Sequence, residues 1–178
     1  MASEDDIARQ TILAEIVPAF LAVDPGAFSR MGEFLASMPA LFFQGQGRSG
    51  LVARMAAMRF MQMGRVAYVV GDTCTPAAQP GDALVTVSGS GATAVGLTVA
   101  RRAREAGMKL AAIVHLPGSP LEAMSDVTLT VGAPTSAQFG GSLFEQCALL
   151  VLDALVLAQT RADPAVHARM AARHASLE

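Results

Sequence analysis

Three glycine- and serine-rich stretches hold the residues whose types and spacing could do chemistry. The first, Gly45-Gln46-Gly47-Arg48-Ser49-Gly50, matches G-x-G-x-x-G. Glycines in such a turn let backbone N–H groups approach an anion, and a helix start favours negative charge. Asp72 follows the next apolar run, about where a dinucleotide site places its ribose ligand, so a nicotinamide cofactor is one reading. A tight turn without a ligand is another. The second stretch, Ser88-Gly89-Ser90-Gly91-Ala92-Thr93, sets three hydroxyls beside two glycines. Hydroxyls and amides converging on a helix start suit a phosphate monoester, which asks for many donors and no cation. Ser90 or Thr93 could instead be only a helix N-cap, a reading that two such turns on adjacent strands disfavour. The third stretch is Gly140-Gly141-Ser142-Leu143-Phe144-Glu145-Gln146. Its Ser142-x-x-Glu145 spacing is that of a capping box, which needs no further purpose. Read functionally, Glu145 is a carboxylate base on a rigid helix start, whose positive end suits the ionised form a base must have.

The other reactive residues are sparse. His115 ends an apolar run on the side where ligands bind in parallel sheets, His167 falls in the last helical stretch, and His174 stands near the chain end. A terminal histidine matters only if the tail docks on a site in its own or a neighbouring subunit. Three scattered histidines without paired spacing do not support a zinc or iron site. The single lysine, Lys109, begins a strand at the end opposite the glycine turns, which disfavours Schiff-base chemistry. Cys74 and Cys147 give neither a disulfide framework nor metal-ligand spacing.

Positioning these loops requires a frame of alternating strands and helices. Amphipathic stretches from about Glu4 to Val23 and from Pro25 to Ser37 open the chain, with Asp24-Pro25 as a start signal for the second. Strands are expected over Ala40-Gln44, Val66-Val70, Ala83-Ser88, Lys109-Val114 and Val127-Val131. Helices are expected over about Ser49-Met63, Thr93-Ala106 with Gly107 closing it, Ser119-Ser125, from Gly141 to about Thr160, and from Asp163-Pro164 onward. This alternation implies βαβ units: a three-layer α-β-α sandwich around a five-stranded parallel sheet, with extra N-terminal helices. With no internal repeat and no long linker, residues 1–178 read as one domain. Within it, helices over about 3–37 precede an α/β core over about 40–160 and a helical tail over about 163–178. Ligands bind beyond the carboxyl ends of such strands, which is where the glycine and serine turns fall.

Bulk composition narrows the classes. Hydrophobic residues make up 52% and charged residues 16%, so disorder is excluded, and the low charge fits a subunit interface hidden by a second copy. A formal net charge of −2 leaves no basic excess for nucleic acid, and Arg101, Arg102 and Arg104 beside Glu105 read as a solvated helix face. The acidic start Ser3-Glu4-Asp5-Asp6 is unlike a signal peptide. The apolar run Cys147-Ala158 is broken by Asp153 and reads as too short to span a bilayer. A soluble cytoplasmic protein with reduced thiols is expected.

Taken together, the turns resemble those of the SIS (sugar isomerase) domain, and more closely its 6-phospho-3-hexuloisomerase members. The similarity covers nearly the whole chain. It rests on Gly45-Gln46-Gly47-Arg48-Ser49-Gly50, Tyr68-Val69-Val70-Gly71-Asp72-Thr73 with Thr75-Pro76, Ser88-Gly89-Ser90-Gly91, Gly141-Ser142-Leu143-Phe144-Glu145-Gln146 and the ending Arg173-His174-Ala175-Ser176-Leu177-Glu178. The resemblance implies reversible conversion of 3-hexulose 6-phosphate to fructose 6-phosphate, after formaldehyde fixation onto ribulose 5-phosphate by a hexulose-phosphate synthase. It implies a homotetramer with sites at subunit interfaces. It also implies a phosphate held by the turns bearing Gly47, Arg48, Ser49, Ser88, Gly89, Ser90 and Thr93, with Glu145 as base and His174 as a proton relay. Ala92 stands where relatives commonly have Glu, and Gln62 where members often carry His.

Moving a carbonyl from C3 to C2 needs a proton taken from C2 and returned to C3 through a cis-enediol. Glu145 would shuttle that proton, and His174 would move hydroxyl protons. No redox cofactor and no metal is required. Three other readings stand beside this one: a related isomerase of a different sugar phosphate, a non-catalytic sugar-phosphate sensor, and a nicotinamide oxidoreductase using the G-x-G-x-x-G turn. A sensor of this type usually carries a DNA-binding module, and no basic segment precedes the domain. An oxidoreductase would need a substrate domain for which 178 residues leave little room.

Overall fold

A computed structural model of the chain describes residues 3–132 and 135–176. Two helices open it, α1 (Glu4–Leu21) and α2 (Pro25–Ser37). Then come β1 (Ala40–Gly45), α3 (Arg48–Gln62), β2 (Val66–Val69), β3 (Ala83–Val87), α4 (Ala94–Glu105), β4 (Lys109–Val114), α5 (Pro120–Met124) and β5 (Val127–Thr130). The chain ends with α6 (Ser142–Ala162) and α7 (Pro164–Ala172). Each expected element is present with ends that agree to within about two residues, the usual uncertainty of helix and strand ends.

The five strands pair in the order β2-β1-β3-β4-β5, all parallel. Side chains alternate across this sheet and build two cores. Leu41, Phe43, Val85, Val87, Ile113 and Leu129 face the layer of α1, α2, α3, α6 and α7. Phe42, Leu84, Leu110, Ala112 and Val114 face the layer of α4 and α5. Strands buried on both faces explain the continuous apolar runs in the sequence. Phe43 and Phe60 lie with ring centroids 5.4 Å apart in the larger core. Each such ring buried contributes about 1.5–3 kcal/mol. The result is the expected α-β-α sandwich.

One expectation about the apolar run near the C-terminus needs correcting. Cys147-Ala158 is the middle of α6, a helix of 21 residues whose most apolar 18-residue window has a mean hydropathy of 1.5, which by length and composition alone is enough to cross a membrane. The run looked short because Asp153 interrupts it, but Asp153 sits on the exposed side of a longer helix. Phe144, Ala148, Val151, Leu152 and Leu155 on the other side fill the core against the sheet.

Candidate active site

The strand order reverses between β1 and β3, and ligand crevices in open parallel sheets form at such a switch point. Three helices begin there, and none has a side-chain cap. The N-cap of α3 is Gly47 (φ 57°), that of α4 is Thr93, and that of α6 is Gly141; no side-chain capping bond is made at any of them. The other four helices are capped. Ser3, Asp24, Ser119 and Asp163 accept from the amides of Asp6 (3.1 Å), Ala27 (2.7 Å), Glu122 (3.2 Å) and Ala165 (2.9 Å). The first amides of a helix have no intrahelical acceptor. At this crevice they are left for something other than the chain's own side chains.

Glycines make the turns possible. A Cβ on Gly45 would lie 2.6 Å from the Ser49 backbone, so β1 and α3 can meet only without one. Gly91 has φ 57°, and a Cβ there would be 2.3 Å from the Ser119 hydroxyl oxygen. Thr93 keeps its hydroxyl off the α4 amides, and Ser90 accepts only from the Ala92 amide, at 3.2 Å, inside the turn. Neither therefore acts as a side-chain cap of α4. Beneath these turns, buried Gln44 donates to the Thr86 hydroxyl (2.9 Å) and to the Gly96 carbonyl (3.2 Å), tying β1 and β3 to α4.

Glu145 is not part of a capping box. Gly141 takes the N-cap position, Ser142 is inside the helix and its hydroxyl donates to the Phe139 carbonyl at 2.8 Å. The Glu145 carboxylate turns instead toward α3, where its Oε2 accepts from Nε of Arg48. Its side chain is 14% exposed, that of Arg48 65%. Arg48, Glu145, Leu51, Met55, Gln146 and Leu149 line a groove of about 210 Å³ between the two helix starts. A Cβ on Gly89 would lie 3.2 Å from the Phe144 ring, which places α6 directly against the serine turn. A carboxylate thus stands beside the glycine turn and the serine turn.

His115 lies on the same end of the sheet. Its Nδ1 is 3.2 Å from the Val131 carbonyl, its ring meets Phe144 edge-on at 6.2 Å, and its amide donates to the Gly89 carbonyl at 3.0 Å. Glu15 on α1 belongs to none of the motifs read from the sequence. It accepts from the Ser136 hydroxyl (2.7 Å), the Ala137 amide (2.6 Å) and the Gln138 side chain (3.0 Å), and so holds the loop that leads into α6. Its partners lie more than a hundred residues away in sequence, and no local pattern announces such a contact.

The structure brings Gly47, Arg48, Ser49, Ser88, Gly89, Ser90, Thr93 and Glu145 to one end of the sheet, but not His174. The preceding residue, Arg173, lies beside Gly64, just past the far end of α3. His174 itself is exposed; its amide donates to the Ala171 carbonyl at 3.3 Å and its Nδ1 lies 3.2 Å from the neighbouring Ala175 carbonyl. Within its own chain it is at the opposite end of the molecule. Leu177 and Glu178, the end of that tail motif, lie outside the described residues, as do Ala133 and Pro134 of the loop before α6. Gln62 also sits at the far end of α3, buried and accepting from Arg59 at 2.9 Å. At a rise of 1.5 Å per residue it is about 20 Å from Ser49.

Comparison with known proteins identifies the family. The family model for the SIS domain matches residues 34–158. The 3-hexulose-6-phosphate isomerase of Mycobacterium gastri is 36% identical over 184 residues, covering 98% of this chain and 92% of that protein. The 3-hexulose-6-phosphate isomerase of Bacillus subtilis is 34% identical over 158 residues, covering 84% and 85%. A Methanococcus jannaschii protein whose crystal structure was taken to infer a function of 3-hexulose-6-phosphate isomerase superposes with a TM-score of 0.84. It is 31% identical, over 98% of this chain and 99% of that one.

Proposed function

The chain belongs to the SIS domain family, and from that premise we propose that it interconverts 3-hexulose 6-phosphate and fructose 6-phosphate. The observation that carries this reading is the meeting of three uncapped helix starts with one carboxylate, Glu145. The amides at the starts of α3 and α4, the backbone of Arg48 among them, hold the phosphate together with Gly47, Ser49, Ser88, Gly89, Ser90 and Thr93. Binding energy from that remote group fixes the reacting carbons against Glu145. Glu145 takes the proton from C2, the electron pair moves into a cis-enediol, and the same carboxyl returns the proton to C3. Nothing is oxidised or reduced overall, so a redox cofactor has no step to perform.

The distance between His174 and the crevice of its own chain gives this proposal an oligomeric form. His174 relays hydroxyl protons in the site of a neighbouring subunit of a homotetramer. Exposed Leu51 and Met55 line the groove, and exposed Met58 on α3 with Leu150 and Leu157 on α6 add apolar surface on the same two helices, which supports such an interface. The chain works as a single domain in the cytoplasm, downstream of a hexulose-phosphate synthase that condenses formaldehyde with ribulose 5-phosphate.

A coupled assay tests the reading. Ribulose 5-phosphate, formaldehyde and a synthase generate the substrate; glucose-6-phosphate isomerase and dehydrogenase report fructose 6-phosphate as NADPH. Protein-dependent NADPH that disappears in Glu145→Gln, with inorganic phosphate still bound, is the expected result. A flat trace from folded wild-type protein would remove the hexulose phosphate as substrate. Phosphate binding lost in Glu145→Gln, with turnover kept at saturation, would remove Glu145 as the base.

A further inference from the structure

Arg48 has two parts with different surroundings. Its backbone belongs to the first turn of α3, where the amides face the phosphate turn. Its side chain leaves that turn and crosses to α6, donating from Nε to Oε2 of Glu145, a residue 97 positions away. The other carboxylate oxygen, Oε1, faces Gly141, 3.7 Å from where a Cβ would stand. A residue with no side chain leaves that oxygen uncovered. One oxygen of the carboxylate is thus tethered and one is open.

We propose that the Arg48 side chain is a positioning residue for Glu145 and not a ligand of the phosphate: it anchors Oε2 so that Oε1 is the oxygen that takes the proton. The inference rests on the isomerase reading, in which Glu145 is the base. A guanidinium suits the task because it is planar and its N–H directions are fixed, whereas a lysine ammonium rotates freely. Neutralising the carboxylate also lets a dianionic phosphate settle at the neighbouring turn without repulsion. The positional demand is severe, since a shift of about 1 Å in a reacting group can slow a reaction by about 10²-fold.

The two possible duties of Arg48 give opposite kinetic signatures. A phosphate ligand, once removed, weakens substrate and inorganic phosphate alike. A positioning residue, once removed, slows turnover and leaves binding alone. The experiment measures kcat, KM and competitive inhibition by inorganic phosphate for wild type, Arg48→Met and Arg48→Lys. The expected result for Arg48→Met is a kcat lower by about 10²-fold, with KM and the phosphate inhibition constant changed less than about threefold. Arg48→Lys recovers part of kcat, again without moving phosphate inhibition. A phosphate inhibition constant raised tenfold or more in either variant, or a kcat unchanged in both, overturns the proposal. Wild-type protein that binds phosphate but does not turn over the hexulose phosphate would instead remove the isomerase reading and this role with it. Because the Arg48 side of the pair is mostly exposed, neither variant is expected to unfold, and thermal melts of all three proteins check this.

Discussion

Gln44 of β1 and Thr86 of β3 are joined by a 2.9 Å hydrogen bond in the sheet layer just below the Gly45–Gly50 and Ser88–Thr93 turns. Both are buried, at 4% and 2% exposure. The bond spans the switch point, where the sheet would otherwise be held only by its ladder. The Gln44 side chain also donates to Gly96 in α4, while its Oε1 has no partner among the described residues. Amide, hydroxyl and carbonyl therefore set the distance between the starts of α3 and α4, which in the proposed reaction grip one phosphate together.

Thr86→Val removes the hydroxyl and leaves part of a buried amide without a partner. A loss of about 1–3 kcal/mol is expected from the stranded group. Urea unfolding measures it. Pairing the change with Gln44→Met should recover part of the loss, because the stranded amide is removed while the Gly96 carbonyl gives up one donor. A double variant no more stable than Thr86→Val would show that the bond is not the source.

Gly91→Ala should damage the phosphate turn without touching Glu145. Alanine at φ 57° costs about 1–2 kcal/mol, and its Cβ would fall 2.3 Å from the Ser119 hydroxyl oxygen. The Gly91 carbonyl also accepts from the Leu121 amide at 3.0 Å, so moving the turn disturbs α5. A KM at least tenfold higher is expected, with kcat at saturation within about threefold. Adding Ser119→Gly removes the clash but not the backbone strain, so only part of the affinity should return. Full recovery would mean that the left-handed conformation is unimportant.

Strands, helices and the crevice end of the sheet were legible in the sequence because each rests on local chemistry. Alternating apolar runs such as Leu41-Phe42-Phe43 feed two cores, and Asp24-Pro25 starts a helix by side-chain capping. What the sequence could not disclose depends on chain reversal. The Ser142-x-x-Glu145 spacing fits a capping box, yet Gly141 becomes the N-cap and Ser142 enters the helix, so Glu145 is free to cross to Arg48. His174 reads as near the site only by motif; its place depends on where α7 docks, beside the far end of α3.

Asp126 makes stability depend on acid. Burial alone would push its carboxyl up, but the Leu110 amide at 2.7 Å and the Arg104 guanidinium at 2.8 Å outweigh that and hold it below the ordinary range. A carboxyl depressed in the folded state stabilises above its unfolded value, and that contribution is lost as pH falls through the folded one. Asp126→Asn should therefore be less stable than wild type at neutral pH, by about 1 kcal/mol given solvent screening of a part-exposed pair. The difference should shrink below about pH 4. A difference that stays constant from pH 7 to pH 3 would assign it to packing and not to charge.

Glu15 should make the loop before α6 sensitive to acid in the same direction. Its carboxyl is held below the ordinary value by the Ala137 amide first, then by the Gln138 side chain and the Ser136 hydroxyl. Above its ordinary value the carboxylate is fully ionised and the clasp is complete; as pH falls through the depressed value, protonation removes acceptor capacity. Hydrogen exchange at the Ala137 amide, corrected for its intrinsic pH dependence, reads this directly. Protection should be high at neutral pH and fall in acid for wild type, and be low at every pH in Glu15→Ala. Glu15→Gln keeps a carbonyl acceptor that does not titrate, so its protection should be intermediate and flat with pH. If wild type and Glu15→Gln gave the same profile, the carboxylate charge would have no part in holding the loop, and its three donors would be meeting an acceptor that any side-chain carbonyl could replace.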